Sequence, residues 1–167
     1  AELVRWSGTV SLVGPAFAGE LFGRHYAESL AALPHLPAGP FRLLDLGSGA
    51  GFPGLVLAAA RPDCEVTLVE ARERKWAFLR AAARRAELSC LCLRATVGAA
   101  HQPDLPDRVA VITARALRIS RPMLVALAPS LLDDALLILW TGSEAPDLAP
   151  GFRLVGSCAL AGSARRF

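Results

Sequence analysis

The chain has 167 residues, 53% of them hydrophobic and 20% charged, with a formal net charge of +3. That composition suits one globular domain and excludes a disordered or low-complexity chain. No apolar run reaches the ~18 residues that a membrane span needs, and Ala1 to Trp6 lack the layout of a secretion signal, so the expectation is a cytoplasmic protein.

Residues 19–33 predict an amphipathic helix with Leu21, Phe22, Tyr26, Leu30 and Leu33 on one side, capping one end of the core. Residues 34–40 form a Pro-rich joint too short to separate domains. Residues 41–46 read as a buried strand ending in glycines, and residues 53–60 as a helix with Pro53 in its first turn. A Val- and Leu-rich strand over 64–70 and a helix over 73–88 follow, the helix striped by Trp76, Leu79, Ala83 and Ala86. Strands are predicted at 90–94, 108–114, 134–140 and 152–160, with a helix at 122–132 that carries Pro129 near its end. Alternating strands and helices imply a doubly wound, mostly parallel α/β sheet with helices on both faces. The expected organisation is a single domain over 1–167, with a helical cap at 1–40 and a Rossmann-like core at 41–167.

Lys75 is the only lysine among 18 basic residues, the rest being arginines. Arginine suits bidentate phosphate contact, but a coding bias that also enriches Ala explains the count without such a partner. The cysteines Cys64, Cys90, Cys92 and Cys158 form no C-x-x-C pair and have no His at ligand spacing. They read as small buried hydrophobes in a reduced compartment, with no metal expected.

The most informative segment runs from Asp45 through Gly47, Gly49 and Gly51 to Gly54. A strand enters a turn almost without side chains, and a helix starts at once, at the edge of the sheet where open α/β folds bind ligands. Read from Gly49 it matches the dinucleotide fingerprint G-x-G-x-x-G. Read from Asp45 it matches D-x-G-x-G-x-G, the first motif of class I S-adenosylmethionine-dependent methyltransferases. The second reading fits better, because the first glycine after the strand is Gly47 and Asp45 has no part in the dinucleotide fingerprint. There the Asp45 carboxylate is expected to hold the loop and help place the methionine amino group. Glu70, at the end of the second strand, is placed to accept from both hydroxyls of a ribose, which nicotinamide and S-adenosylmethionine sites share.

The string Asp45-Leu46-Gly47-Ser48-Gly49-Ala50-Gly51-Phe52-Pro53-Gly54 resembles the glucose-inhibited division protein B family, the small-subunit (16S) ribosomal RNA guanine-N7 methyltransferases. The Phe-Pro-Gly ending is more specific than the glycines. Arg24-His25-Tyr26-Ala27-Glu28-Ser29-Leu30, Arg74-Lys75-Trp76-Ala77-Phe78-Leu79 and Thr113-Ala114-Arg115-Ala116-Leu117 resemble further segments of that family. The resemblance implies a class I methyltransferase fold and S-adenosylmethionine as cofactor. It implies small-subunit ribosomal RNA, or an assembling small subunit, as the partner; the oligomeric state stays open, with a monomer the expectation.

Carried over by position, the resemblance puts Gly47 and Phe52 against the cofactor, Val97 and Gly98 beside its adenine, and Arg115 between cofactor and substrate; Gly49 and Glu70 complete the expected cofactor set. It raises Arg24, His25, Arg115 and Trp140 as candidates for contact with RNA, and Arg5, Arg74 and Lys75 join Arg24 and Arg115 as candidate phosphate contacts. Arg80 and Arg84 read instead as a solvated helix face. Trp140 stands where the family usually has a basic residue, so stacking on a base would replace a phosphate contact there. The chain starts without Met and stops at Arg165-Arg166-Phe167, so trimming at both ends is expected; the family's last strand would begin near Phe167, so the sheet would lack an element unless the chain continues. Competing functions are a small-molecule or protein methyltransferase, a nicotinamide-dependent oxidoreductase, and a non-catalytic cofactor-binding module in ribosome assembly.

Overall fold

The structure, a computed structural model, describes residues 5–6, 12, 21–98, 103–141 and 150–160, without the side chains of 21–23. Five parallel strands form its centre: β1 (Phe41–Leu46), β2 (Cys64–Val69), β3 (Cys90–Leu93), β4 (Val109–Arg115) and β5 (Leu131–Trp140). Their spatial order is β3-β2-β1-β4-β5. The chain therefore builds outward from β1 through β2 to β3, then returns to the other side of β1 for β4 and β5. That reversal leaves a crevice at the carboxyl ends of β1 and β4, the topological switch point where such sheets bind ligands.

Side-chain alternation along the strands feeds two cores. On one face Phe41, Leu43, Val66, Leu68, Val111 and Ile138 pack beneath α2 (Gly54–Ala60) and α3 (Glu73–Arg85), with Leu57, Phe78 and Leu79 fully buried. On the other, Leu44, Leu46, Val69, Val109 and Ile112 pack beneath α4 (Arg121–Leu127) through Leu124 and Leu127. Trp6 meets Phe78 edge-on at 6.0 Å, which joins the start of the chain to α3. The α3 stripe is rotated from the one expected: Phe78, Leu79 and Ala83 are buried, Trp76 is half-buried under Arg80, and Ala86 is exposed. The helix also stops at Arg85, and Glu87 reverses the chain at φ 56°.

Two further expectations are corrected. Helix α4 ends at Leu127, and Leu131 and Leu132, expected at its end, open β5 after a 3-10 turn over Ala128–Ser130. Residues 152–158 form no strand, although Ala159 sits in an isolated bridge; Leu154 and Val155 are exposed, so their apolar character reports neither burial nor pairing.

The N-terminal segment is a π-turn over Leu21–Tyr26 that passes into the short helix α1 (Ala27–Leu30). Leu30 is 40% exposed, while Glu28, Ser29 and Ala32 are buried. Its inward face is thus partly polar, unlike the apolar stripe expected; Leu21 and Phe22 lie outside the described side chains. Cys90 and Cys92 share one face, packing on the first core with Cys64. Burial pushes the Cys64 thiol up to about 12 and the Cys90 thiol up to about 11, which keeps both protonated and unreactive. Cys158 departs from the expectation and is exposed. Among the described residues no helix is long and apolar enough to cross a membrane, and no His, Cys, Asp or Glu cluster could hold a metal.

Candidate active site

A cavity of about 580 Å³ opens at the switch point, walled by the turn after β1, the ends of β2 and β4, and Ala95 to Val97 after β3. Of the residues singled out in the sequence, Gly47, Gly49, Phe52, Glu70, Val97, Arg115 and His25 line it together, as does Lys75. Gly98, Arg24 and Trp140 stand back from its wall, and Arg5 and Arg74 are exposed.

The turn after β1 is built for close approach. Ser48 N–H donates to the Val69 carbonyl at 3.0 Å, and Gly51 N–H to the Ser48 carbonyl at 2.7 Å. Gly47 has φ 64°, a left-handed conformation that favours glycine, and a Cβ there would lie 3.2 Å from Leu117. Gly54 begins α2 directly over the sheet; a Cβ there would stand 2.6 Å from Asp45 Oδ2 and closer still to Leu68. The Phe-Pro-Gly ending therefore has a packing reason: only glycine lets α2 start against β1 and β2.

Glu70 holds this turn. Its Oε2 accepts from Gly49 N–H at 3.0 Å and its Oε1 from Arg72 N–H at 2.8 Å. The carboxylate is buried against the backbone yet reaches the cavity. Each oxygen has a second acceptor direction left, since a carboxylate offers about four.

Asp45 does something other than expected. It is fully buried, one strand away from Thr113, whose Oγ1 donates to Oδ1 at 2.7 Å, and it does not line the cavity. Ser48 Oγ donates to its backbone carbonyl at 2.8 Å. Oδ2 lies near the Gly54 backbone but makes no hydrogen bond of normal geometry. Burial pushes its pKa up to about 6, against the opposing pull of Thr113, Ser48, Gly54 and Arg115. Asp45 therefore ties β1 to β4 beneath the turn, and its carboxylate lies outside the cavity lining.

Arg115 ends β4 and turns into the cavity, although its side chain is only 6% exposed. Its guanidinium pairs with Glu28 at 3.0 Å, donates to the His25 carbonyl at 3.3 Å and to His25 Nδ1, and lies 5.8 Å from the centre of the Phe52 ring. Phe52 in turn meets His25 at 5.3 Å and Tyr26 edge-on at 5.1 Å. The N-terminal segment thus closes one end of the cavity by gripping Phe52 and Arg115. Next to Arg115, Ala116 adopts φ 55°, and this turn carries Leu117 over Gly47.

Trp140 is corrected outright. It is 3% exposed, packs in the first core, and its indole N–H donates to the Glu28 carbonyl at 2.9 Å, so it offers no face to a base. Arg24 is half-buried and spends its Nε on Glu28 at 3.2 Å. Gly98, at φ 84°, acts at one remove: a Cβ there would press on Met123, which does line the cavity. Sequence reasoning missed Met123 and gave no role to Leu117 or Glu28, although both lie inside the family-like segments 113–117 and 24–30.

A family profile described as rRNA small subunit methyltransferase G matches residues 1–147. The chain belongs to that family. One ribosomal RNA small subunit methyltransferase G, from Acidiphilium cryptum, is 41% identical over 134 residues, which are 79% of this chain and 59% of that protein. The chain thus spans about six-tenths of that relative's length. Among solved structures, TrmN from Thermus thermophilus superposes with a TM-score of 0.67 at 26% identity, over 83% of this chain and 46% of that one. A SAM-dependent methyltransferase from Aquifex aeolicus superposes with a TM-score of 0.59 at 20% identity, over 83% of this chain and 78% of that one. The sheet is that of a class I methyltransferase. For an rRNA small subunit methyltransferase G chain, the glycine turn is the methyltransferase motif and not the dinucleotide fingerprint.

Proposed function

We propose that this domain transfers a methyl group from S-adenosylmethionine to N7 of a guanine in small-subunit ribosomal RNA. The observation that carries the reading is the cavity of about 580 Å³ at the β1/β4 switch point of a chain in this family. Its volume is within the range of small-ligand sites, and its walls suit the cofactor. Glu70 has acceptor capacity for two ribose hydroxyls, Val97 and Met123 give an apolar slot for adenine, and the turn from Gly47 to Phe52 admits the methionine end. When bound, the cofactor supplies an electrophilic methyl on a positively charged sulfur.

The rest of the work falls to the chain's own residues. Guanine N7 carries a lone pair and no proton, so attack needs no general base, and the walls have only to align the two reactants and exclude competing nucleophiles. N7 lies on the major-groove edge of a base pair, which in A-form RNA is deep and narrow. The base must therefore be unpaired or turned out of its stack. Lys75 and Arg72 stand at the mouth with Arg74 beside them, and supply charge for the flanking phosphates. His25 and Arg115 wall the end nearest Phe52 and bound the space for the base.

The test uses the full-length protein, labelled S-adenosylmethionine and small-subunit RNA from a strain lacking the modification. Label is expected in N7-methylguanosine at one position. Absence of transfer to that RNA and to assembling subunits, by protein that binds the cofactor, would overturn the substrate assignment.

A further inference from the structure

Glu28 is a buried carboxylate that the mechanism above leaves unused. It is 4% exposed on α1, and its two oxygens face different guanidinium groups, Arg24 Nε at 3.2 Å and Arg115 Nη2 at 3.0 Å. Trp140 fixes its backbone from the β5 side, through the indole N–H on the Glu28 carbonyl. The carboxylate therefore meets Arg115, which lines the cavity, without lining the cavity itself. A buried ion pair is weak support for stability, because desolvation consumes most of what the attraction returns. A buried guanidinium in the wall of a cavity has a further consequence: it repels any cation placed there, and low-dielectric surroundings enlarge the effect.

We propose that Glu28 is a positioning residue, whose carboxylate holds the Arg115 guanidinium at the cavity wall and offsets part of its charge, so that the cavity accepts the sulfonium cation of S-adenosylmethionine. This rests on the cofactor reading above and deepens it. Methyl transfer moves positive charge from sulfur to the purine, and a wall whose positive charge is partly offset tolerates both positions of that charge better than a bare guanidinium would. Phe52, with Arg115 on one side and His25 and Tyr26 packed on its ring, is held by the same cluster.

The charge can be separated from the packing by comparing two ligands. S-adenosylmethionine carries the sulfonium; S-adenosylhomocysteine is nearly the same shape without it. Titration calorimetry on the full-length protein should give Glu28→Gln an affinity for S-adenosylmethionine about tenfold weaker, with less than about threefold lost for S-adenosylhomocysteine. Glu28→Asp, which keeps the charge, should restore most of the native ratio. Equal losses for both ligands, or no loss for either, would make Glu28 a structural residue and overturn the proposal. Should Glu28→Gln fail to fold by circular dichroism, Arg115→Met decides: removing the guanidinium should raise the preference for the charged ligand above the native ratio, and an unchanged or lower ratio overturns the proposal. A native protein that binds neither ligand overturns the cofactor reading itself, and this inference with it.

Discussion

Asp45 is a buried carboxylate whose two oxygens meet different surroundings, Oδ1 receiving the Thr113 hydroxyl and Oδ2 facing the crowded start of α2. Burial first, and then the incomplete set of hydrogen bonds and the Arg115 charge that oppose it, leave its pKa at about 6. That is above the unfolded value, so the folded protein holds this proton more tightly than the unfolded chain does. The stabilisation is fully present below about pH 4 and is lost as pH rises through about 6. Urea unfolding of native protein and Asp45→Asn across this range should show the native advantage growing by up to about 3 kcal/mol from pH 7.5 to pH 4. A constant difference would show that Asp45 titrates normally. Glu70 is the converse case, legible in the sequence from its place at a strand end. Glu70→Ala removes the clasp on Gly49 and Arg72 together, and should weaken S-adenosylhomocysteine binding by about 2 kcal/mol or more by calorimetry. Asp45 was legible as important but not in its role, because only the β1–β4 register puts Thr113 beside it. Trp140 was misread for the same reason: a tryptophan ending a strand gives no sign of which way it faces until β5 is packed against α1.

At the scale of elements, the strand–turn–helix from β1 to α2 was legible almost to the residue, since clustered glycines mark a turn that needs positive φ and close approach, and Pro53 suits the start of a helix. Gly54 is its tightest point. Gly54→Ala puts a methyl group on Asp45 and Leu68 and should destabilise the fold by about 1–3 kcal/mol in urea unfolding, with α2 lifted from the sheet. The N-terminal segment was legible as a helix but not in its packing, because periodicity predicts an apolar inward face and here Glu28 and Ser29 turn inward. Its attachment runs through Phe52, against which His25 and Tyr26 both pack. Phe52→Ala should therefore raise amide hydrogen exchange over residues 21–30 and leave β1 and β4 protected. Unchanged exchange there would show that the Glu28 cluster alone secures the segment. The expected strand at 152–160 failed on the same physics: an apolar run becomes a strand only where a sheet edge receives it.

At the scale of the molecule, the order β3-β2-β1-β4-β5 places every carboxyl end of the sheet along one edge, and the reversal beside β1 opens that edge into a cavity. Alternating apolar runs foretold a parallel sheet, but not the strand order, which depends on long-range pairing that no local pattern encodes. A second cavity of about 600 Å³, between His35, Arg42 and Leu136, lies by the opposite ends of β1 and β5, away from the glycine turn. The switch-point cavity, and not that one, is the proposed cofactor site. A crystal structure of the full-length protein with S-adenosylhomocysteine tests it most directly. The ribose hydroxyls should lie on Glu70, the adenine between Val97 and Met123, and the sulfur at the end bounded by Phe52 and Arg115. Ligand density in the second cavity, or a ribose that leaves Glu70 uncontacted, would overturn the assignment of the switch-point cavity to the cofactor.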